Sequence, residues 1–94
     1  MKDIHFEWDS SKNKANIAKH RVSFEEARTV FSDPDALIID DPDHSRSEER
    51  FIILGLSTLL RVLVVCHCYR SSDEAIRIIS ARKATKAEIL KYRG

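Results

Sequence analysis

Three apolar runs, Phe51 to Leu56, Arg61 to Tyr69 and Ala75 to Ala81, stand close together in the second half of this chain. The connections between them, Ser57–Leu60 and Arg70–Glu74, are short. Runs of this length, rich in Val and Ile and joined by short turns, favour antiparallel hairpins. Their near-continuous apolarity calls for a sheet covered on at least part of both faces. The last run breaks its own pattern. In Ala75-Ile76-Arg77-Ile78-Ile79-Ser80-Ala81 an arginine sits mid-strand, and the run leads into Arg82 and Lys83. A cation in so apolar a strand is costly unless it is paired or faces a site. Cations clustered where a sheet meets a helix suit phosphate, so RNA or a nucleotide phosphate is the first expected partner.

The remaining elements frame that sheet. Ile4 to Trp8 reads as a short first strand. Asp9 or Ser10 can cap a helix running to about His20, with only a modest apolar face in Ala15, Ile17 and Ala18. Ser23-Phe24-Glu25-Glu26 has the form of a capping box. The helix it opens carries Phe24, Ala27, Val30 and Phe31 on one face, and Asp33-Pro34 ends it. Ala36 to Ile39 reads as a strand. Asp40 to Glu49 is a mostly acidic loop containing Pro42. Thr85-Lys86-Ala87-Glu88 is a second capping box and opens a terminal helix. The expected class is α/β, with a small, mainly antiparallel sheet, two N-terminal helices and a C-terminal one, in a single domain spanning 1–94.

With 94 residues the chain has room for one small core. No apolar stretch approaches a membrane span, which argues against a membrane partner. Met1-Lys2-Asp3-Ile4-His5 lacks a signal-peptide apolar region, so the cytoplasm is the expected compartment. Cys66 and Cys68 lie two apart in an extended run, too far to bridge each other comfortably, and read as reduced core thiols. The net charge of +1 hides a polarity: residues 25–50 hold nine acidic and three basic side chains, and residues 70–94 hold seven basic and three acidic. The acidic block suits a basic partner and the basic block suits phosphate, unless both are solvated surface.

Taken in order, Phe6-Glu7-Trp8-Asp9, Lys19-His20, Val22-Ser23-Phe24-Glu25-Glu26-Ala27, Asp33-Pro34, His44-Ser45 with Glu48-Glu49-Arg50, Tyr69-Arg70, and Arg77-Ile78-Ile79-Ser80-Ala81-Arg82-Lys83-Ala84-Thr85 resemble the BrnT family of bacterial toxins. The resemblance spans nearly the whole chain. It implies a RelE-like fold and a ribonuclease activity that blocks translation. It also implies a BrnA-type antitoxin with a ribbon-helix-helix DNA-binding domain, the pair repressing its own operon, so that operator DNA is reached only through the antitoxin. Arg21 stands where the family commonly has glycine, at a helix end that glycine would suit in left-handed form.

Metal-free RNA cleavage needs a base to deprotonate the 2′-hydroxyl, cations to stabilise the charged phosphorane, and an acid for the leaving oxygen. The catalytic candidates are Arg77, Arg82, Arg70, His67, Lys19, His20 and Glu49, with His44 a further loop histidine. Lys83 and Lys86 are candidates for RNA contact. Arginine presents a planar donor fork matched to phosphate. Strict alternation sends Arg77 and Arg82 to opposite faces, so they converge only if the strand ends or bends between them. The opposing reading pairs Arg77 with an acidic side chain and leaves Arg70 and Arg82 solvated. His67, inside Val64-Val65-Cys66-His67-Cys68, is a proton-transfer group or a hydrogen-bonded core histidine. Lys19 and His20 complement a helix C-terminus whether or not they act in catalysis. Asp40, Asp41 and Asp43 resemble a cation cluster, but a solvated loop or a surface for a basic antitoxin is the preferred reading. Cys66-His67-Cys68 does not make a metal site, because alternation separates His67 from the cysteines. No metal and no cofactor is expected. The rival to an endoribonuclease toxin is a noncatalytic binding module, such as a degenerate toxin acting as co-repressor.

Overall fold

The computed structural model describes residues 4–40, 49–70 and 74–94. His44, Asp41 and Asp43 therefore lie outside the described residues. Five strands form one sheet: β1 (His5–Glu7), β2 (Leu37–Asp40), β3 (Phe51–Leu56), β4 (Val62–Arg70) and β5 (Ala75–Lys83). Their order is β1-β5-β4-β3-β2, with β1 parallel to β5 and every other pair antiparallel. Helices α1 (Ser10–His20) and α2 (Phe24–Thr29) precede β2, and α3 (Lys86–Arg93) ends the chain. A single 3₁₀ turn, Val30–Ser32, extends α2. This is the mixed α/β architecture expected from the sequence.

The core lies between α2 and one face of the sheet. Val22, Phe24, Ala27 and Val30 pack on Ile53, Leu63, Val65, Ile78 and Ala81, all essentially inaccessible to solvent. In β4 the residues turned to this face are Leu63, Val65 and His67, the period-2 set of a strand with one buried side. Gly55 lies under the 3₁₀ turn and Ala36 for a steric reason. A Cβ there would come within 2.9 Å of both Val30 Cγ1 and Ala36 Cβ.

Helix α1 departs from the amphipathic expectation. Ala15, Ile17 and Ala18 are exposed, and the buried residue is Asn16. Strand β1 ends at Glu7 opposite Arg77, which leaves the outer edge of β5 unpaired beyond that point. The Asn16 amide fills the place of a missing strand. Its Nδ2 donates to the carbonyls of Ala81 and Val22, each at 2.8 Å, and its Oδ1 accepts from the Ala81 N–H at 3.2 Å. Buried backbone groups must be paired, so one polar side chain docks the helix where an apolar stripe was expected. Asp9 caps the helix, accepting from the N–H groups of Ser11 and Lys12. At the other end Arg21 takes the left-handed conformation, φ 61°, that glycine would adopt freely.

The first capping box is only half formed. Ser23 Oγ accepts from the Glu26 N–H at 3.0 Å, but the Glu26 carboxylate turns inward. It accepts from Ser57 Oγ at 2.7 Å and forms a two-point ion pair with Arg61. The hydrogen bond from Arg61 holds the Glu26 carboxyl below its ordinary range against the opposing effect of burial. The capping box at Thr85 is complete: Thr85 Oγ1 accepts from the Glu88 N–H and Glu88 Oε1 accepts from the Thr85 N–H. Tyr92 then ties α3 to the turn before β2 by donating to Asp33 Oδ2 at 2.6 Å.

Candidate active site

The register of β4 against β5 decides where the arginines point. Cys66 pairs with Ser80, but His67 pairs with Ile78, so Ile79 is an extra residue in β5 and the ladder carries a bulge. Facing partners in a sheet share a side. Val64 faces Arg82, Cys66 faces Ser80, Cys68 faces Arg77, and Arg70 faces Ala75. These β4 residues are the alternate set to Leu63, Val65 and His67. Arg70, Arg77 and Arg82 therefore all lie on the face opposite the core. The strict alternation expected from the sequence is corrected by one inserted residue. Arg70 and Arg77 are diagonal neighbours on adjacent strands, about 7–8 Å apart at the backbone.

Arg77 is paired with an acidic side chain, as the opposing reading has it, but Arg82 is paired as well rather than solvated alone. Arg77 pairs with Glu7, its register partner on β1, at 3.3 Å. Arg82 donates to both oxygens of Glu88, at 2.8 and 2.9 Å, and to the Lys83 carbonyl. The Arg77 and Arg82 side chains remain 32% and 42% exposed, so pairing orients them without removing them from solvent. The Arg82 fork in turn holds the Glu88 carboxyl down to about 2. Arg70 is exposed at the end of β4.

A cavity of about 270 Å³ opens on this face, lined by His20, Arg50, Ile52, Val64, Cys66, Ile79, Ser80, Ala81 and Arg82. The last turn of α1, moored at the β5 edge by Asn16, brings His20 to one wall. Arg50, one residue before β3, supplies a second guanidinium; it is not among the sequence's catalytic candidates, and the signal that could have found it is its alternation with Ile52. The floor is apolar apart from Cys66 and Ser80. An imidazole and two arginines over an apolar floor can hold a phosphodiester and move a proton at a hydroxyl or leaving oxygen beside it.

Several candidates lie elsewhere. His67 is fully buried on the core face, edge-on to Phe31 and Tyr69 at 4.8 and 5.4 Å between ring centres. Its Nδ1 lies 3.3 Å from the Val65 carbonyl, and its Nε2 has no hydrogen-bond partner among the described residues. Burial pushes its pKa down. The structure thus gives His67 the core position and separates it from the arginines by the thickness of the sheet. Lys83 faces Leu63 and so is turned to the side opposite Arg82. Lys19 and Lys86 are exposed, on α1 and on the first turn of α3, and Glu49 is exposed ahead of Arg50. Cys66 and Cys68 form no disulfide; Cys68 is buried and Cys66 lines the cavity. Among the described residues no three His, Cys, Asp or Glu side chains converge as metal ligands, and no helix is long and apolar enough to cross a membrane.

The fold is a five-stranded mixed sheet with α2 packed on its core face and Arg70, Arg77, Arg82 and the cavity on the other. The 1.1 Å crystal structure of the Brucella abortus ribonuclease toxin BrnT superposes with a TM-score of 0.68, covering 89% of this chain and 100% of that one at 23% identity. The family described as the ribonuclease toxin BrnT of type II toxin–antitoxin systems matches residues 8–88, and the chain belongs to it. No curated protein matches the chain in sequence. Membership makes the protein a ribonuclease toxin, with RNA as substrate and an antitoxin as partner.

Proposed function

We propose that the protein is a metal-independent endoribonuclease that cuts RNA through the 2′-hydroxyl at the His20, Arg50 and Arg82 cavity. The observation that carries the reading is the β5 bulge, which puts Arg70, Arg77 and Arg82 on one face. An RNA backbone laid along that face meets one guanidinium after another. Arg82 and Arg50 bind the scissile phosphate and stabilise the charge that grows on its oxygens. His20 exchanges the proton with the 2′-hydroxyl or the leaving oxygen, the task an imidazole performs near neutral pH. Arg77 and Arg70 hold the neighbouring phosphate, and Lys19 adds positive charge beside His20. Glu49, ahead of Arg50, is the second candidate for proton transfer.

Cleavage of cytoplasmic RNA by such a site blocks translation. The antitoxin in this reading is BrnA-like, with a ribbon-helix-helix domain, and operator DNA is bound through it alone. The deciding assay incubates purified protein with RNA in chelator. Cleavage should persist, leave a 2′,3′-cyclic phosphate, and stop when the scissile nucleotide is 2′-deoxy. Loss in chelator with recovery on added magnesium would overturn the metal-free mechanism. Intact RNA under every condition would leave the noncatalytic co-repressor.

A further inference from the structure

The sheet ends on β2, an edge strand of four residues. Natural edge strands are blunted by shortness, charged side chains, proline, bulges or covering elements, and β2, though short and flanked by acids, keeps large apolar side chains in solvent. In β2 three consecutive large apolar side chains, Leu37, Ile38 and Ile39, are 37%, 54% and 41% exposed, although the strand pairs with β3 through all four of its residues. Consecutive residues point to opposite faces, so exposure of all three means the strand is open on both sides as well as at its edge. No described element pairs with its outer side. An acidic residue stands at each end in sequence, Asp35 before the strand and Asp40 as its last residue.

We infer that β2 is the docking edge for the antitoxin, which adds a sixth strand whose alternate apolar side chains are bounded by lysine or arginine. The inference rests on the toxin–antitoxin reading and names the surface it uses. Main-chain hydrogen bonds along the edge and apolar contacts on both faces supply affinity, and the flanking carboxylates select a basic partner. The same charges disfavour a second copy of this chain. Antiparallel self-pairing about Ile38 and Ile39 would set Leu37 against Asp40 and gather the acidic flanks of both copies at the two ends of the joint. The edge lies at the far side of the sheet from β5, with β4 and β3 between. An antitoxin held there is anchored away from Arg77 and Arg82, so anchoring and occlusion of the cationic face are separable.

The test is hydrogen exchange on the toxin alone and copurified with the antitoxin of its own operon, together with Ile38→Lys and Asp35→Lys. Both residues are exposed and outside the cleavage site, so both free variants should fold and cut RNA at the wild-type rate. Exchange at the outward amides of residues 37–40 should slow at least tenfold in the complex. Ile38→Lys should weaken the complex at least tenfold, and Asp35→Lys should slow association at low salt. A complex that leaves these amides unprotected and binds Ile38→Lys at full strength would overturn the docking edge while leaving the toxin–antitoxin reading intact. Failure to form any complex would overturn both. Protection in the toxin alone that grows with concentration, alongside a dimer in sedimentation, would give the edge to a second copy and also overturn the inference.

Discussion

The Arg82 guanidinium and the Glu88 carboxylate meet at two points, 2.8 and 2.9 Å apart, while Glu88 Oε1 also accepts the Thr85 N–H at 2.9 Å. One carboxylate therefore aims the candidate phosphate-binding arginine and caps the helix that follows it. Two substitutions separate these tasks. Gln at this position of a capping box still reaches back to the backbone, so Glu88→Gln should keep α3 but loosen Arg82. Thr85→Ala should cost about 1 kcal/mol of stability through the lost cap and leave Arg82 aimed. RNA cleavage should fall roughly tenfold or more in Glu88→Gln, since a misplacement of about 1 Å can cost ~10²-fold, and should hold in Thr85→Ala. Single-turnover kinetics with thermal midpoints checks both. Equal activity in both variants would sink the positioning role.

The same pair sets an acid limit. The Glu88 pKa is about 2 in the fold against an ordinary 4.5, a lowered value. A group with a depressed folded pKa stabilises above its unfolded pKa and loses that contribution as pH falls towards the folded one. The pair's contribution should be complete above about pH 4.5 and fade between there and about pH 2. A titration of the Glu88 carboxyl by NMR, wild type against Arg82→Ala, checks this: the midpoint should move up towards the ordinary range in the variant.

Arg70, Arg77 and Arg82 share one face, so their loss should act on one ligand. Each alanine variant should flatten the dependence of log affinity on log salt, by about 0.7 for each single-strand phosphate contact removed. Arg82→Ala should also slow cleavage by ~10²–10³, the usual effect of a lost transition-state donor. Lys83→Ala, turned to the other side of the sheet, should leave the slope unchanged. Filter binding of a non-cleavable 2′-deoxy substrate across a salt series measures this. An effect of Lys83→Ala equal to that of Arg77→Ala would refute the one-face assignment.

His67 is buried with a lowered pKa and an Nε2 that no described group satisfies. The unfolded chain binds the proton more readily than the fold does, so stability should be full above about pH 6.5 and decline as pH falls through the ordinary histidine range. His67→Leu removes the titrating group, and its thermal midpoint should vary less between pH 7 and 5 than that of the wild type. RNA cleavage should survive this change and be lost in His20→Ala. Loss of activity in a folded His67→Leu would return His67 to the mechanism.

At Gly55 the constraint is steric. Ala there should destabilise the fold by about 1–3 kcal/mol, because Val30 and Ala36 sit where the new methyl would go and the core has little slack. Denaturant unfolding measures the loss, and a neutral variant would show that the contact with Val30 and Ala36 can yield.

Local pattern carried much of the architecture. The strand at Phe51–Leu56, the helix caps at Asp9 and Thr85 and the apolar face of Phe24, Ala27 and Val30 depend on neighbours a few residues away, and such information is written in the spacing. The candidate site was legible as residue types rather than as a place. Arg70, Arg77, Arg82 and His20 were visible as candidates, and Arg50 only as part of a family motif. Their convergence depended on a bulge of one residue in β5, and in a period-2 structure one inserted residue reverses the side of all that follow. The same long-range pairing sent His67 into the core, moored α1 through Asn16 rather than an apolar stripe, and drew Glu26 from its own cap to Arg61, 35 residues away. The sequence by itself determined the elements, their caps and the chemical repertoire, because those are settled within a turn or a strand. The face each cation occupies was decided by the tertiary structure, because register is a property of two strands together.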